Sequence, residues 1–231
     1  MAAVSPFLGN TYWVLRHGKS IPNEKGIIIS TMENGVLPEY QLTAEGIHQA
    51  ELAGELFQVW LKENNIPIEN VRIFYSPFSR TKQTAEIVAS VLHLPFESSP
   101  QCKATVEFRE RFFGPSFEFK DHNNIADIWD QDEKDPFLRP EVGGESAADV
   151  ASRLGNAVET MEKELHGCVV MVVSHGDPLQ ILQAVLHGIS EYKGPADGDF
   201  KSRVEAIKVH STLSHHRRKF ALLNGELRQV M

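Results

Sequence analysis

The sequence has few cysteines, fewer cations than anions and no long apolar run. Its 231 residues include two cysteines, Cys102 and Cys168, too few for a disulfide framework or a four-cysteine zinc module. Lys and Arg number 23 against 31 Asp and Glu, and the net charge of −8 argues against nucleic acid or an anionic membrane as a partner. The longest apolar run, residues 168–173, is far shorter than the roughly 18 residues of a membrane-spanning helix.

Signals for export and for several enzyme classes are missing as well. Residues 1–10 contain no basic segment followed by an apolar one, and the chain has no Asn-x-Ser/Thr site. With so few cysteines, this favours a reducing compartment, most simply the cytoplasm. The motifs HExxH, GxGxxG, GxxxxGK[ST] and CxxC are absent, so we expect no metal and no cofactor.

Apolar runs alternate with segments of helical spacing along most of the chain. Short apolar runs predict strands at residues 12–15, 71–75, 104–108 and 168–173. Helical spacing predicts helices after Thr43 as a cap, after Ser79 as a cap and on to Val91, across 148–165 with Gly167 as the stop, and across 177–187 with Gly188 after it. This alternation predicts an α/β fold, a three-layer sandwich with a mainly parallel central sheet flanked by helices.

Each of the four predicted strands leads into residues that suit an anionic ligand. The first runs into Arg16–Gly18, the last into Ser174–Gly176, the second towards Arg80 at a helix start, and the third towards Glu110. Because ligands bind outside the carboxyl ends of parallel strands, we expect these side chains to share one rim. Guanidinium forks match phosphate oxygens, and a neutral imidazole can attack phosphorus. Glu110 is the candidate proton donor if its surroundings raise its pKa.

Two regions lack this regularity. Residues 19–41 predict a long loop, and residues 111–143 predict an irregular excursion over the active site, within a single domain spanning 1–231. In the tail, residues 207–213 and 220–230 predict two or three strands, with a turn at Asn224-Gly225. The cationic run His215–Lys219 is then a solvated turn between strands, and a role in binding phosphate or metal is the alternative interpretation.

The segment Arg16–Ser20 resembles the Arg-His-Gly signature of the histidine phosphatase superfamily, in its phosphoglycerate mutase-like branch. The resemblance runs from Tyr12 to about His187 and includes other segments in the family's order: Leu42–Gly46, Ser76–Thr84, Glu110 with Phe113-Gly114, Gly144–Ser146 with Arg153, and Ser174–Gly176. It implies a phosphorylated nucleophile at His17 and a proton donor at Glu110. It also implies binding of the phosphoryl group by Arg16, Arg80, His175 and Asn23, with Gly18 and Gly176 admitting close backbone approach.

The family contains both phosphomonoesterases and phosphoglycerate mutases. Mutases carry several basic residues just after the acid glutamate, whereas residues 111–143 hold four basic and eight acidic ones. Phe112 stands where mutases usually have histidine. These differences favour a metal-independent phosphomonoesterase acting through a phosphohistidine on a small phosphorylated metabolite.

Two alternatives stay open, a mutase and a non-catalytic module that binds a phosphorylated ligand. The second would be marked by loss of His17 or Glu110, and both residues are present. Members of the family occur as monomers and dimers, so a homodimer also stays open.

Overall fold

One five-stranded sheet organises the part of the chain that the computed structural model describes, residues 7–192 and 199–231. The strand order is β3-β2-β4-β1-β5. The first four strands run parallel and β5 runs antiparallel to β1, which confirms the mainly parallel sheet. The strands are β1 (Thr11–Arg16), β2 (Val71–Tyr75), β3 (Cys102–Ala104), β4 (Val169–Ser174) and β5 (Leu227–Gln229).

Helices cover both faces of this sheet. Those of the described residues are α1 (Ile21–Lys25), α2 (Met32–Gly35), α3 (Ala44–Glu63), α4 (Ser79–Val91), α5 (Ile125–Lys134), α6 (Ala147–Glu164), α7 (Gly176–Ser190), α8 (Phe200–Lys208), α9 (Ser211–Ser214) and α10 (His216–Phe220). Short 3₁₀ helices lie at Pro38–Tyr40, Ile68–Asn70, Val106–Phe108 and His122–Asn124. Among the helices described, none is long and apolar enough to cross a bilayer.

The apolar core is divided by the sheet into two clusters. Successive side chains of a strand point to opposite faces, so Val14 and Val172 pack with α6 and α7 on one side. Leu15 and Val173 pack with α3 and α4 on the other. All six residues of β4 are buried, as expected for a central parallel strand covered on both faces. The three-layer sandwich is therefore confirmed.

The segment predicted as a long loop, residues 19–41, contains two short helices and a 3₁₀ turn, so that prediction is wrong. Ser20 caps α1 by accepting a hydrogen bond from the amide of Asn23, and Thr31 caps α2 through the amide of Asn34. Helices of four or five residues are too short to show an amphipathic period. Their signal lies in the capping residues alone.

Three predicted boundaries also change. The third strand ends at Ala104, because the chain turns into the 3₁₀ helix of Val106–Phe108 once the Thr105 amide has bonded to the sheet. Helix α7 continues through Gly188, where a Cβ would lie 2.4 Å from Ile207 Cγ1. That glycine allows close helix packing and does not end the helix. Ser79 is the first residue of α4 rather than its cap.

The predicted strands of the tail are wrong except for the edge strand β5. Phe200, Val204 and Ile207 face the core from α8 at helical spacing, whereas the prediction began its segment at Ile207 and lost the period. The turn at Asn224-Gly225 is confirmed, with Gly225 at φ +70°. In the run His215–Lys219, the last four residues lie in α10 and His215 is the residue that precedes this helix, so the run is not a turn between strands.

Candidate active site

The register of β1 and β4 brings two histidines together. Arg16 pairs with Ser174 across the two parallel strands, so the residues that follow, His17 and His175, leave the sheet at the same edge. Their ring centroids are 5.3 Å apart and both side chains are buried. The strand-end prediction thus places this pair correctly in space.

Two further predicted residues reach the same point from other elements. Arg80, in the first turn of α4, donates from Nε to His17 Nε2 at 3.2 Å. Glu110, beyond the 3₁₀ helix that follows β3, places its Oε2 3.6 Å from both Arg80 Nη2 and His175 Nδ1. Arg16, His17, Arg80, Glu110 and His175 form what we call the central cluster.

A cavity of about 130 Å³ opens above this cluster. It is lined by six of the seven predicted site residues, Arg16, His17, Asn23, Arg80, Glu110 and Gly176. The seventh, His175, is fully buried and is not among the lining residues, and its ring packs against the ring of His17. Gly176 is the first residue of α7, so the amides and the positive end of a 15-residue helix face the cavity and favour an anion there.

The hydrogen bonds of His17 fix where its lone pair lies. Nδ1 is 2.8 Å from the carbonyl oxygen of Gly18, which can only accept, so Nδ1 carries the proton. Nε2 then has the lone pair and accepts from Arg80. Burial, followed by the charges of Arg80 and Arg16, holds the pKa of His17 well below its ordinary value. The ring is therefore neutral at pH 7, with Nε2 as its nucleophilic atom.

Three buried nitrogen atoms of the central cluster lack hydrogen-bond partners among the described residues. They are Arg16 Nε, Arg80 Nη1 and His175 Nδ1. Leaving such groups unsatisfied costs about 1–3 kcal/mol each, so each calls for an explanation. A tetrahedral oxyanion held in the cavity between the two guanidinium groups would give the nitrogens of Arg16 and Arg80 an acceptor.

Glu110 has the surroundings of an acid–base residue. Burial and, to a smaller extent, the charge of Asp177 raise its pKa to about 7, against the opposing charge of Arg80. Near neutral pH both protonation states are therefore populated. The carboxylate can give a proton and take one back at the same pH.

The backbone around Glu110 is held by polar contacts on several sides. Ser174 Oγ donates to the Phe108 carbonyl at 2.7 Å, which ties the loop to β4. The carboxylate of Glu145 forms ion pairs with the guanidinium groups of Arg109 at 2.6 Å and Arg153 at 2.9 Å. It also accepts a hydrogen bond from the amide of Phe112. These contacts position the acid on the strand-end rim.

A buried charge network lies next to the acid and centres on Arg111, which is fully buried. Its guanidinium binds Asp132 of α5 through two bonds of 2.6 and 3.0 Å, and Asp177 of α7 at 3.1 Å. His216 of α10 lies 3.3 Å from Asp132. Although burial lowers the pKa of Arg111, Asp177 and Asp132 raise it above its ordinary value. The network joins three helices to the residue that follows Glu110.

Asn23 lies at the cavity, but its oxygen is already engaged. Asn23 Oδ1 accepts from the amide and hydroxyl of Ser20 at 3.1 and 2.8 Å, and from Asn224 at 3.2 Å. Gly18 meets another backbone: a Cβ there would lie 2.2 Å from the carbonyl oxygen of Gly46. Position 18 therefore requires glycine, because its backbone packs directly against the start of helix α3.

Several residues in and beneath the cavity escaped the sequence prediction. Ser76, which follows β2, places Oγ 2.9 Å from His175 Nε2, and its position directly after a strand was an available signal. The missed residues that line the cavity are Ser20, Pro22, Ile27, Ile28, Ile29, Phe113, His122, Ile125, Trp129, Asp177, Gln180, Arg217 and Leu222. They come from the 19–41 segment, the excursion, α7 and the tail, and most of them lie outside any local motif. Within the described ranges no group of His, Cys, Asp or Glu side chains is arranged to hold a metal ion.

Comparison with known sequences identifies relatives over most of the chain. A sequence model of the histidine phosphatase superfamily (branch 1) matches residues 12–196. Phosphoglycerate mutase 2 from Saccharomyces cerevisiae is 28% identical over 125 residues, which cover 54% of this chain and 37% of that protein's length. An uncharacterised protein from Mycobacterium tuberculosis is 29% identical over 188 residues, 80% of this chain and 83% of that protein.

Solved structures share the fold. A mycobacterial glucosyl-3-phosphoglycerate phosphatase in complex with VO3 superposes with a TM-score of 0.65 at 22% identity, covering 95% of this chain and 90% of that one. A candidate alpha-ribazole-5'-P phosphatase from Escherichia coli gives a TM-score of 0.58 at 25% identity, with 78% and 80% covered. With the family's sequence model matched across residues 12–196, this chain belongs to the histidine phosphatase superfamily (branch 1).

Proposed function

We propose that the protein hydrolyses a small phosphomonoester through a phosphohistidine formed at His17. The observation that carries this proposal is the geometry of His17, whose Nδ1 faces the Gly18 carbonyl and whose Nε2 lies 3.2 Å from Arg80 Nε, at a cavity that Arg16 and Arg80 both line. Membership of the superfamily supports a phosphoryl-transfer reaction. The resemblance to the Escherichia coli phosphatase candidate supports a small phosphorylated metabolite as the substrate.

In the first step, His17 Nε2 attacks phosphorus as the bond from phosphorus to the ester oxygen breaks. Arg16 and Arg80 bind the three equatorial oxygens, over which negative charge spreads in the transition state. They stabilise this state more than the ground state, which accelerates the reaction. Protonated Glu110 gives its proton to the departing alkoxide, and the alcohol leaves.

In the second step, water replaces the imidazole. Glu110, now ionised, takes a proton from water as the water oxygen bonds to phosphorus and the bond from Nε2 to phosphorus breaks. Inorganic phosphate is released and His17 returns to its neutral form. Its proton on Nδ1 stays bound to the Gly18 carbonyl throughout.

Hydrolysis is favoured over mutase chemistry by the charge of the excursion. A mutase must hold a bisphosphate, whereas residues 111–143 carry more acidic than basic residues. Arg111, the basic residue that directly follows Glu110, is already bound to Asp132 and Asp177. The side chain of Phe112, where mutases usually have histidine, is absent from the cavity lining.

The test is release of phosphate from p-nitrophenyl phosphate and from a panel of metabolite phosphates, with a chelator present. We expect turnover by the natural protein and its loss in His17→Ala. His48→Ala is the matched control, because His48 is exposed on α3 and remote from the cavity. Phosphate release that persists in His17→Ala would overturn the proposed mechanism. Isomer formation from 3-phosphoglycerate and a bisphosphate primer, without phosphate release, would establish the mutase instead.

A further inference from the structure

Beyond the central cluster, the cavity has a third arginine that the reaction does not use. Arg217, on α10, lines the same wall as Trp129 of α5. Its guanidinium carbon lies 4.5 Å from the centroid of the Trp129 ring. Trp129 is itself held, since its Nε1 donates to Asp177 Oδ1 at 2.8 Å. Stacking on an anchored aromatic face orients a guanidinium and leaves its N–H donors exposed for a ligand.

Arg217 differs from the adjacent Arg218 in having no carboxylate partner. Among the described residues, no Asp or Glu oxygen lies within ion-pair distance of Arg217. Arg218 is bound to Glu133 through two bonds of 2.5 and 2.6 Å. Of the two arginines of α10, the one that lines the cavity is therefore the one without a carboxylate partner.

The cavity holds one more positive charge, that of Arg217, than a single phosphoryl group needs. Arg16 and Arg80 match a phosphate dianion, and Asp177 is committed to Arg111. Burial lowers the pKa of Arg16, and the nearby charge of Arg217 lowers it further, so the cations of this cavity repel one another. A second anion beside Arg217 would relieve that repulsion.

We infer that the substrate carries a second anionic group, a carboxylate being the smallest, which Arg217 binds while its phosphoryl group occupies the central cluster. The inference rests on the proposed function and names the substrate class for that site. The cavity, at about 130 Å³, is smaller than the roughly 300 Å³ at which pockets for drug-sized ligands begin. A cavity of this size suits a substrate with a phosphoryl group, a few carbon atoms and one further small group. Ile125 and Phe113 supply an apolar wall for those carbons.

The test compares two ligands that differ in one charge. Calorimetry measures binding of 3-phosphonopropionate and of its neutral amide, 3-phosphonopropionamide, to the full chain. We expect the acid to bind tenfold or more tightly than the amide, since a hydrogen bond to a charged group is worth about 1.5–3 kcal/mol. Arg217→Met should remove this preference and leave amide binding within about twofold. Arg218→Met, the adjacent exposed arginine, is the control and should retain it.

Two results would overturn the inference. One is equal binding of acid and amide by the natural protein. The other is a loss in Arg217→Met that is equal for both ligands, which would make Arg217 a ligand of the phosphoryl group; Arg217→Gln repeats the measurement if the methionine variant does not fold. Because neither phosphonate is hydrolysed, the outcome does not depend on turnover. A protein that hydrolyses p-nitrophenyl phosphate without preferring the acid refutes this inference alone, and one that prefers the acid without hydrolysing any ester refutes the proposed function alone.

Discussion

Replacing Glu110 with glutamine separates the two halves of the proposed reaction. The variant keeps the size of the side chain but holds no proton to donate and no charge with which to activate water. The pKa of Glu110 is raised to about 7, so the protonated fraction falls from about nine-tenths at pH 6 to about one-tenth at pH 8. For an alkyl phosphate, whose alcohol leaves poorly, kcat/KM of the natural enzyme should fall with that fraction over this range.

The variant should lose about 10²–10⁴ in kcat/KM on the alkyl phosphate, the usual contribution of general acid catalysis. On p-nitrophenyl phosphate the loss should be less than about tenfold, because p-nitrophenolate leaves without a proton. Hydrolysis of the phosphoenzyme needs Glu110 as base with either substrate, so we expect a burst of one equivalent of p-nitrophenolate followed by slow turnover. Rapid-mixing absorbance and steady-state phosphate release measure both quantities.

Glu107→Gln is the matched control, since Glu107 lies three residues away and its side chain does not line the cavity. It should leave both rates unchanged. Equal losses of kcat/KM on the two substrates in Glu110→Gln would refute the acid role, because the first irreversible step with p-nitrophenyl phosphate does not require protonation.

Three further predictions concern stability and positioning. Glu110 keeps its proton to higher pH in the folded protein than in the unfolded chain, so the stability it contributes is present below pH 4.5 and is lost as pH rises through about 7. In urea titrations, the free energy of unfolding of Glu110→Gln should therefore gain up to about 3 kcal/mol relative to the natural protein between pH 5 and pH 8. A difference that stays constant over this range would refute the raised pKa. Arg111→Met should lower the free energy of unfolding by about 3–5 kcal/mol, because the buried carboxylates of Asp132 and Asp177 lose the cation that they share. Arg139→Met, which removes an exposed ion pair with Asp149, should cost at most about 1 kcal/mol, and equal losses in urea unfolding would contradict the network's role. Ser76→Ala should lower kcat/KM about tenfold, because it removes the hydrogen bond that holds the His175 ring. Ser79→Ala is the control and should leave kcat/KM unchanged, since the buried hydroxyl of Ser79 has no partner among the described residues. An unchanged kcat/KM in Ser76→Ala would remove Ser76 from the site.

The site's centre could be predicted because it depends on local patterns. A buried parallel strand followed by His-Gly occurs twice, at His17 and His175, and two such strands need only be neighbours for the rings to meet. Arg80 at a helix start and Glu110 beyond a short strand follow the same rule. The physical basis is that all carboxyl ends of a parallel sheet open on one edge.

The outer wall could not be predicted because it depends on contacts between distant residues. Arg111 pairs with Asp132 and Asp177, which are 21 and 66 residues away, and charge patterns carry no signal for such partners. Arg217 reaches the cavity from a helix of the tail, whereas the prediction placed it in a solvated turn between two strands. The expectation of a single domain and of a monomer or dimer stays a prediction, as does the cytoplasmic location.

The central claim is tested most directly by locating the phosphoryl group on the enzyme. Glu110→Gln should accumulate the intermediate, because it lacks the base that activates water. After rapid mixing with p-nitrophenyl phosphate and an alkaline quench, which preserves phosphohistidine, mass spectrometry of the peptides should place one phosphoryl group on His17. Phosphorylation of any other residue, or a burst of p-nitrophenolate with no phosphorylated peptide, would contradict the account.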